Sequence, residues 1–305
     1  MPAGHMPSAP HQIRQTLLSE VDRAIAGLSR SQIPDETVHA VRKDLKRARA
    51  TLRLMRAIIS PEDFRRHNVL MRDAARPLTP LRDSMIQLRT LNDLAGGGRG
   101  GNGANGAEAF TAQLRRHLRL EHAHARAALS GAVIREVAAA LGAVRHGLEG
   151  LPAQILDRRA LRSGLEWAYR RARKAYRRAC KDGSDDNLHE WRKQTKYYLH
   201  QLELIAALDE HRFAKRRQRA DRLADRLGDD HDLAVLRANI LHQAHSSEAP
   251  TGHAMADELL QRLAHRRARL QRKAARLGER LYCEKPRRLG RKAEQGLSVG
   301  AAPAP

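Results

Sequence analysis

Apolar residues recur along most of this chain at alternating steps of three and four, the spacing that lays one stripe of an α-helix against a neighbour. The pattern is clearest in Val38, Val41, Leu45, Ala48, Leu52 and Met55. His39, Arg42, Lys43, Lys46, Arg49 and Arg53 fall on the opposite side of the same helix. The pattern returns in Leu188, Trp191, Thr195, Tyr198, Leu202 and Ile205. There His189, Arg192, Lys193 and Lys196 repeat His39, Arg42, Lys43 and Lys46 at a constant separation of 150 positions. Both the packing face and the cationic face recur, which predicts an internal duplication that carries function as well as fold.

The same periodicity predicts a first helix over Ile13 to Leu28 and a third over Pro61 to Ala75, the latter presenting Arg65, Arg66, Arg72 and Arg76. Asp35 or Thr37 offers an N-cap for the helix between them. Pro77 and Pro80 interrupt the pattern, and a helical run resumes through Met85, Ile86 and Leu91. Gly96 to Gly106 reads as a flexible loop, and Ala107 to about Ala143 as helix again.

In the second half a basic helix is expected over Leu156 to Cys180. Lys215, Arg216, Arg222 and Arg226 then match Arg65, Arg66, Arg72 and Arg76 at the same separation. With a one-residue slip, Leu227 to Leu233 corresponds to Leu78 to Ser84, so Arg82-Asp83 pairs with His231-Asp232. Asp257 to Tyr282 is the last long helix expected. No stretch alternates with a period of two, so the fold class is all-α. The expected organisation is a polar tail over 1–11, helical halves over 12–150 and 151–285, and a disordered basic tail over 286–305.

Charge sharpens this picture. The 305 residues include 57 Lys and Arg against 34 Asp and Glu, a formal charge of +23 that exceeds what solubility requires and points to a polyanionic partner. Two cysteines, Cys180 and Cys283, make no disulfide framework and suit a reducing compartment. Nowhere do eighteen apolar residues run together, and residues 1–11 hold no apolar secretory core; a soluble, cytoplasmic protein is expected.

The chemistry of the duplicated face follows from residue type. Arg offers a planar fork to phosphate oxygens, Lys a point charge, and His a hydrogen bond with partial charge. Positions i, i+4 and i+7 form a ladder roughly 10 Å long, which matches a repeating anion better than a single small one.

The paired H-x-x-R-K-x-x-K helices, His39-Arg42-Lys43-Lys46 and His189-Arg192-Lys193-Lys196, together with Arg82-Asp83 and His231-Asp232, resemble the CHAD family, the histidine-containing α-helical domain. The resemblance covers about Gln12 to Tyr282. It implies two helical bundles related by pseudo-twofold symmetry, with basic helices lining a central channel that binds inorganic polyphosphate. The binding residues it implies extend from the paired motifs to Arg49, Arg72, Arg76, Arg216, Arg222 and Arg226. In the second copy Tyr197, Leu199 and Glu203 stand where Arg47, Arg49 and Arg53 stand in the first, so that ladder is shorter. No ExExK signature precedes Gln12, and a stand-alone member without a CYTH triphosphatase domain is expected.

Asp83 and Asp232 read as carboxylates that orient basic side chains rather than as catalytic or metal-binding groups. No enzyme activity, metal or cofactor is expected, and association with polyphosphate granules is. Nucleic acid is the competing partner for so basic a helical chain. Two features weigh against it: aromatics make up only 3% of the chain, and the basic residues are divided between two helices that each keep an apolar seam.

Overall fold

The computed structural model describes residues 9–30, 33–96, 104–151, 158–208, 210–245 and 251–299. These form eleven α-helices, one short 3₁₀ turn and no strands among the described residues. In chain order they are α1 (Ala9–Leu28), α2 (Asp35–Leu54), α3 (Pro61–Ala74), α4 (Thr79–Ala95), α5 (Ala104–Ala128) and α6 (Gly131–Glu149). α7 (Arg158–Lys181), α8 (Asp185–Leu208), α9 (Glu210–His245), α10 (Thr251–Leu281) and α11 (Pro286–Val299) complete the chain. No single helix among the described residues is long and apolar enough to cross a membrane. Both cysteines are free and exposed.

The apolar stripes go where their spacing directs them. Val38, Val41 and Leu45 of α2 are buried with Ala24 and Leu28 of α1, Leu81 of α4 and Leu141 of α6. One turn further on, Ala48 and Leu52 enter a larger core that also contains Trp191, Tyr198 and Leu202 of α8, Tyr169 of α7 and Phe213 of α9. This core joins residues from both halves of the chain. A third apolar cluster packs α4 and α5 on α9 and α10 through Leu91, Leu114, Leu236 and Leu263. At roughly 1.5–3 kcal/mol for each fully buried large aliphatic side chain, these seams fix the rotation of α2 and α8 and so decide where their cationic faces point.

Two close approaches hold the central helices together. A Cβ on Gly164 of α7 would stand 2.3 Å from the Leu54 carbonyl oxygen, so only glycine lets α7 run against the end of α2. Gln201 of α8, fully buried, donates to the Ala50 carbonyl of α2 at 3.1 Å. This bond crosses from one half to the other.

Several expectations change. The helical stretch after the glycine-rich segment breaks at Leu129-Ser130, where the Ser130 hydroxyl accepts from the Val133 amide and starts α6. Pro34, not Asp35 or Thr37, takes the N-cap position of α2, and Asp35 pairs instead with His122 and Arg126. Where the first half has Pro77 and Pro80 around the α3–α4 junction, the corresponding stretch of the second half has no proline, and α9 runs unbroken for 36 residues.

The basic tail read as disordered beyond Pro286 is helical to Val299 and docks on α7: Leu289 and Ala293 are buried, and Arg162 pairs with Glu294 at 2.8 Å. Charge density hid a short amphipathic stripe there. At the other end α1 begins at Ala9, and the tail of residues 1–8 lies outside the described residues, as does the centre of the glycine-rich segment.

Candidate polyanion-binding site

The cationic faces of α2 and α8 meet. The Lys46 ammonium on α2 lies in the fields of Arg192 and Lys196 on α8, of Arg42 on its own helix, and of Arg82 on α4. Burial first, and then these cations, push its pKa down to about 7. Lys196 is held down to about 8 by burial and by Arg192 and Arg82. Neither lysine has a hydrogen-bond or ion-pair partner among the described residues. Two half-buried ammonium groups, opposed at Lys196 only by the fields of Asp225 and Asp232, are costly in a folded protein, and an arriving anion offsets that cost.

Arg82 is the hub of the cluster. It acts electrostatically on His39, Arg42 and Lys46 from the first copy and on Arg192, Lys196 and His231 from the second. Its side chain is 14% exposed and bonds to Asp83 at 2.8 Å. The sequence reading assigned the Arg82-Asp83 element through its carboxylate alone and passed over the guanidinium. Its signal was the alignment of Arg82 with His231.

Asp83 and Asp232 lie among these cations. Asp83 is bonded to Arg82 and attracts Arg42 and Arg192. Burial raises the pKa of Asp232, while Arg192, Arg82 and Lys196 oppose that rise. Among the described residues there is no group of three or more His, Cys, Asp or Glu side chains arranged to hold a metal ion.

Five of the predicted residues, Arg42, Lys46, Arg49, Arg72 and Arg76, line one cleft of about 210 Å³ between α2 and the α3–α4 junction. Arg72 and Arg76 both pair with Asp73 at the rim, at 2.9 and 2.5 Å. Arg49 donates to the Asn68 side chain at 3.2 Å. Arg42 has a second task, because its guanidinium donates to the Ala75 carbonyl at 2.7 Å and to the Thr79 hydroxyl at 2.5 Å, holding the turn between α3 and α4.

His39 and His189 are exposed, on the same sides of their helices as the arginines and lysines. Burial of part of each ring and the neighbouring cations lower both pKa values. His189 meets His231 of α9, with Nδ1 atoms 3.3 Å apart. Lys43 is exposed beside this face, and Arg192 is buried at 9% exposure. Lys193 is ion-paired with Glu190.

On α9, Arg222 is exposed and Arg226 pairs with Asp229 at 3.6 Å. Arg216 does not belong to the surface. It turns inward to Glu284 at 2.5 Å and to the Leu281 carbonyl at 3.1 Å, beside Tyr198 and Tyr169. A basic residue at a repeat position was read as a ligand, but the Glu284 carboxylate that neutralises it lies beyond the repeat.

An all-α chain whose two basic helices converge on uncompensated cations has the design of an anion-binding helical protein. More narrowly, the chain belongs to the CHAD family, whose domain model matches residues 12–241. The fold is similar to that of PptA from Streptomyces chartreusis, with a TM-score of 0.65 and 16% sequence identity over 92% of this chain and 100% of that one. No curated protein matches the sequence. The family is associated with polyphosphate binding, and its domain is not known as a catalytic one.

Proposed function

We propose that this protein binds long-chain inorganic polyphosphate along the paired faces of α2 and α8 without chemically altering it, and that it associates with polyphosphate granules in the cytoplasm. The observation that carries this reading is the convergence of Lys46, Lys196, Arg82 and Arg192 without enough carboxylate to neutralise them. The two halves present their ladders to one chain of phosphates, and Asp83 and Asp232 keep the arginine forks aimed. A chain of closely spaced phosphates supplies one negative charge for each cation and releases counterions as it binds. Duplex DNA fits the arrangement less well, because the central cations lie half-buried between helices rather than along an exposed groove-reading helix.

The test is competition between long-chain polyphosphate and duplex DNA at matched phosphate and physiological salt. Polyphosphate is expected to displace DNA, and Lys46→Ala with Lys196→Ala to remove that preference. DNA holding its place, or a double variant that binds polyphosphate like the parent, overturns the reading.

A further inference from the structure

The chain has only ten aromatic Phe, Trp and Tyr residues, and most are core. Tyr169, Tyr198, Tyr282, Trp191, Phe110 and Phe213 are all buried. Of the four left partly exposed, Tyr176 packs on Trp191 and Tyr282. The other three, Phe64, Trp167 and Tyr197, line a single cavity of about 500 Å³ at the far end of α2. Phe64 and Trp167 also pack against the main core, and it is their partly exposed remainder that joins Tyr197 in the cavity wall.

Cations share the wall with these rings. The Arg53 guanidinium sits 4.0 Å from the centre of the Tyr197 ring, Arg56 4.7 Å from that of Trp167, and Arg171 5.1 Å from the same indole. Arg49, Arg65 and Lys193 complete the positive lining and Asn68 and Gln194 add amides; among the described residues no carboxylate lines the cavity, and Glu190 beside it pairs with Arg171 and Lys193. Guanidinium over an aromatic ring makes a flat cationic platform, and both of its layers accept a planar base. The cavity is large enough for a small ligand with an aromatic ring and a short anionic tail. Polyphosphate itself has no use for the rings.

We propose that this cavity, which continues the α2–α8 polyanion face at its Arg49 end, is a second binding site for a free nucleoside polyphosphate whose base stacks on the Trp167–Arg171 layer and whose phosphates face Arg49 and Arg65. Arg49 also lines the cleft beside Lys46, so a nucleotide here adjoins one end of the polyphosphate track. Burial first, and then the neighbouring Arg49, Arg171 and Arg56, hold the Arg53 pKa down to about 10.

The experiment titrates the full chain, without divalent metal, with ATP, inorganic tripolyphosphate and adenosine, following tryptophan emission and heat. ATP is expected to bind more tightly than tripolyphosphate and to quench Trp167, and adenosine to bind weakly. In Trp167→Ala, ATP affinity is expected to fall about tenfold, in line with the loss of one base–aromatic stack, while tripolyphosphate and long-chain polyphosphate bind as before. The variant Trp167→Leu, which keeps apolar bulk and every cation of the wall, gives the same selective loss should Trp167→Ala fail to fold. Equal affinity for ATP and tripolyphosphate, with neither variant separating them, overturns the nucleotide site. A single-stranded oligonucleotide binding through Trp167 far more tightly than ATP also overturns it, and assigns the cavity to nucleic acid.

Discussion

His189 of α8 and His231 of α9 face each other with their Nδ1 atoms 3.3 Å apart and their ring centres 4.7 Å apart. A hydrogen bond at that distance needs one donor and one acceptor, which two imidazolium rings cannot supply. Burial, then Arg192, His189 and Arg82, depress the His231 pKa to about 4.

The sign of the pH effect follows. A histidine whose folded pKa lies below its unfolded value contributes its full stability above the unfolded value of 6.5 and loses it as pH falls toward the folded one. The free protein is therefore expected to lose thermal stability between about pH 6.5 and pH 4. Polyphosphate, if it binds as proposed, is expected to raise the histidine pKa values and restore part of the loss. Melting curves across this range, with and without polyphosphate, check it. A His189→Gln, His231→Gln variant whose profile matches the parent would assign the effect elsewhere.

Lys46 and Lys196 extend proton uptake to higher pH. With pKa values near 7 and 8 in the free protein, both are partly neutral between pH 7 and pH 9, and an arriving polyanion recharges them. Affinity should rise as pH falls through that window, above the range in which His39, His189 and His231 titrate. Lys46→Met is expected to stabilise the free protein by about 1 kcal/mol, by removing a buried uncompensated charge, while weakening polyphosphate binding and lowering its salt slope by about one. Calorimetry in two buffers of different ionisation heat measures the uptake directly. A Lys46→Met protein that melts lower than the parent contradicts the account.

The apolar seams and cationic faces of α2 and α8 were legible from periodicity, because each is a local pattern. Less legible was what depends on contacts between distant segments. Arg42 and Arg216 look like ligands in sequence, and only the turn at Ala75 and the carboxylate of Glu284 show that the fold also uses them. The Trp167 cavity draws on α2, α3, α7 and α8 at once, and no single window of sequence contains it.

Arg42 should therefore behave unlike Lys46, although one helical turn separates them. Removing its guanidinium leaves the Ala75 carbonyl and the Thr79 hydroxyl without their charged donor, at a cost of about 1.5–3 kcal/mol. Arg42→Ala is expected to lower both stability and affinity, whereas Arg42→Lys recovers charge without the fork and restores little stability. Urea denaturation beside polyphosphate titration separates the two effects. An Arg42→Ala protein as stable as the parent would return the residue to a purely ligand-binding role.

The last prediction concerns the end of the chain, where sequence suggested disorder and the structure has α11. Glu284, only 9% exposed, accepts Arg216 of α9 at 2.5 Å and also Arg288 and Lys292 of α11 at 3.4 and 2.6 Å. The same helix covers α7 with Leu289 and Ala293, and Gly290 permits the approach, since a Cβ there would lie 2.0 Å from the Glu166 carboxylate. Ending the chain after Lys285 removes two of the three cations on Glu284 and uncovers that apolar strip. A loss of about 2–4 kcal/mol is expected, from the lost burial and the weakened neutralisation of a buried carboxylate. Polyphosphate affinity per folded molecule should hold, because no residue of α11 lies in the α2–α8 cluster. Gly290→Val should reproduce much of the destabilisation in the full-length chain by forcing α11 off α7. Denaturation midpoints of the two variants, with binding measured well below them, decide the matter. A truncated protein of parental stability would show that α11 does not brace the fold, and a truncated protein that stays folded but no longer binds would place the tail at the ligand instead.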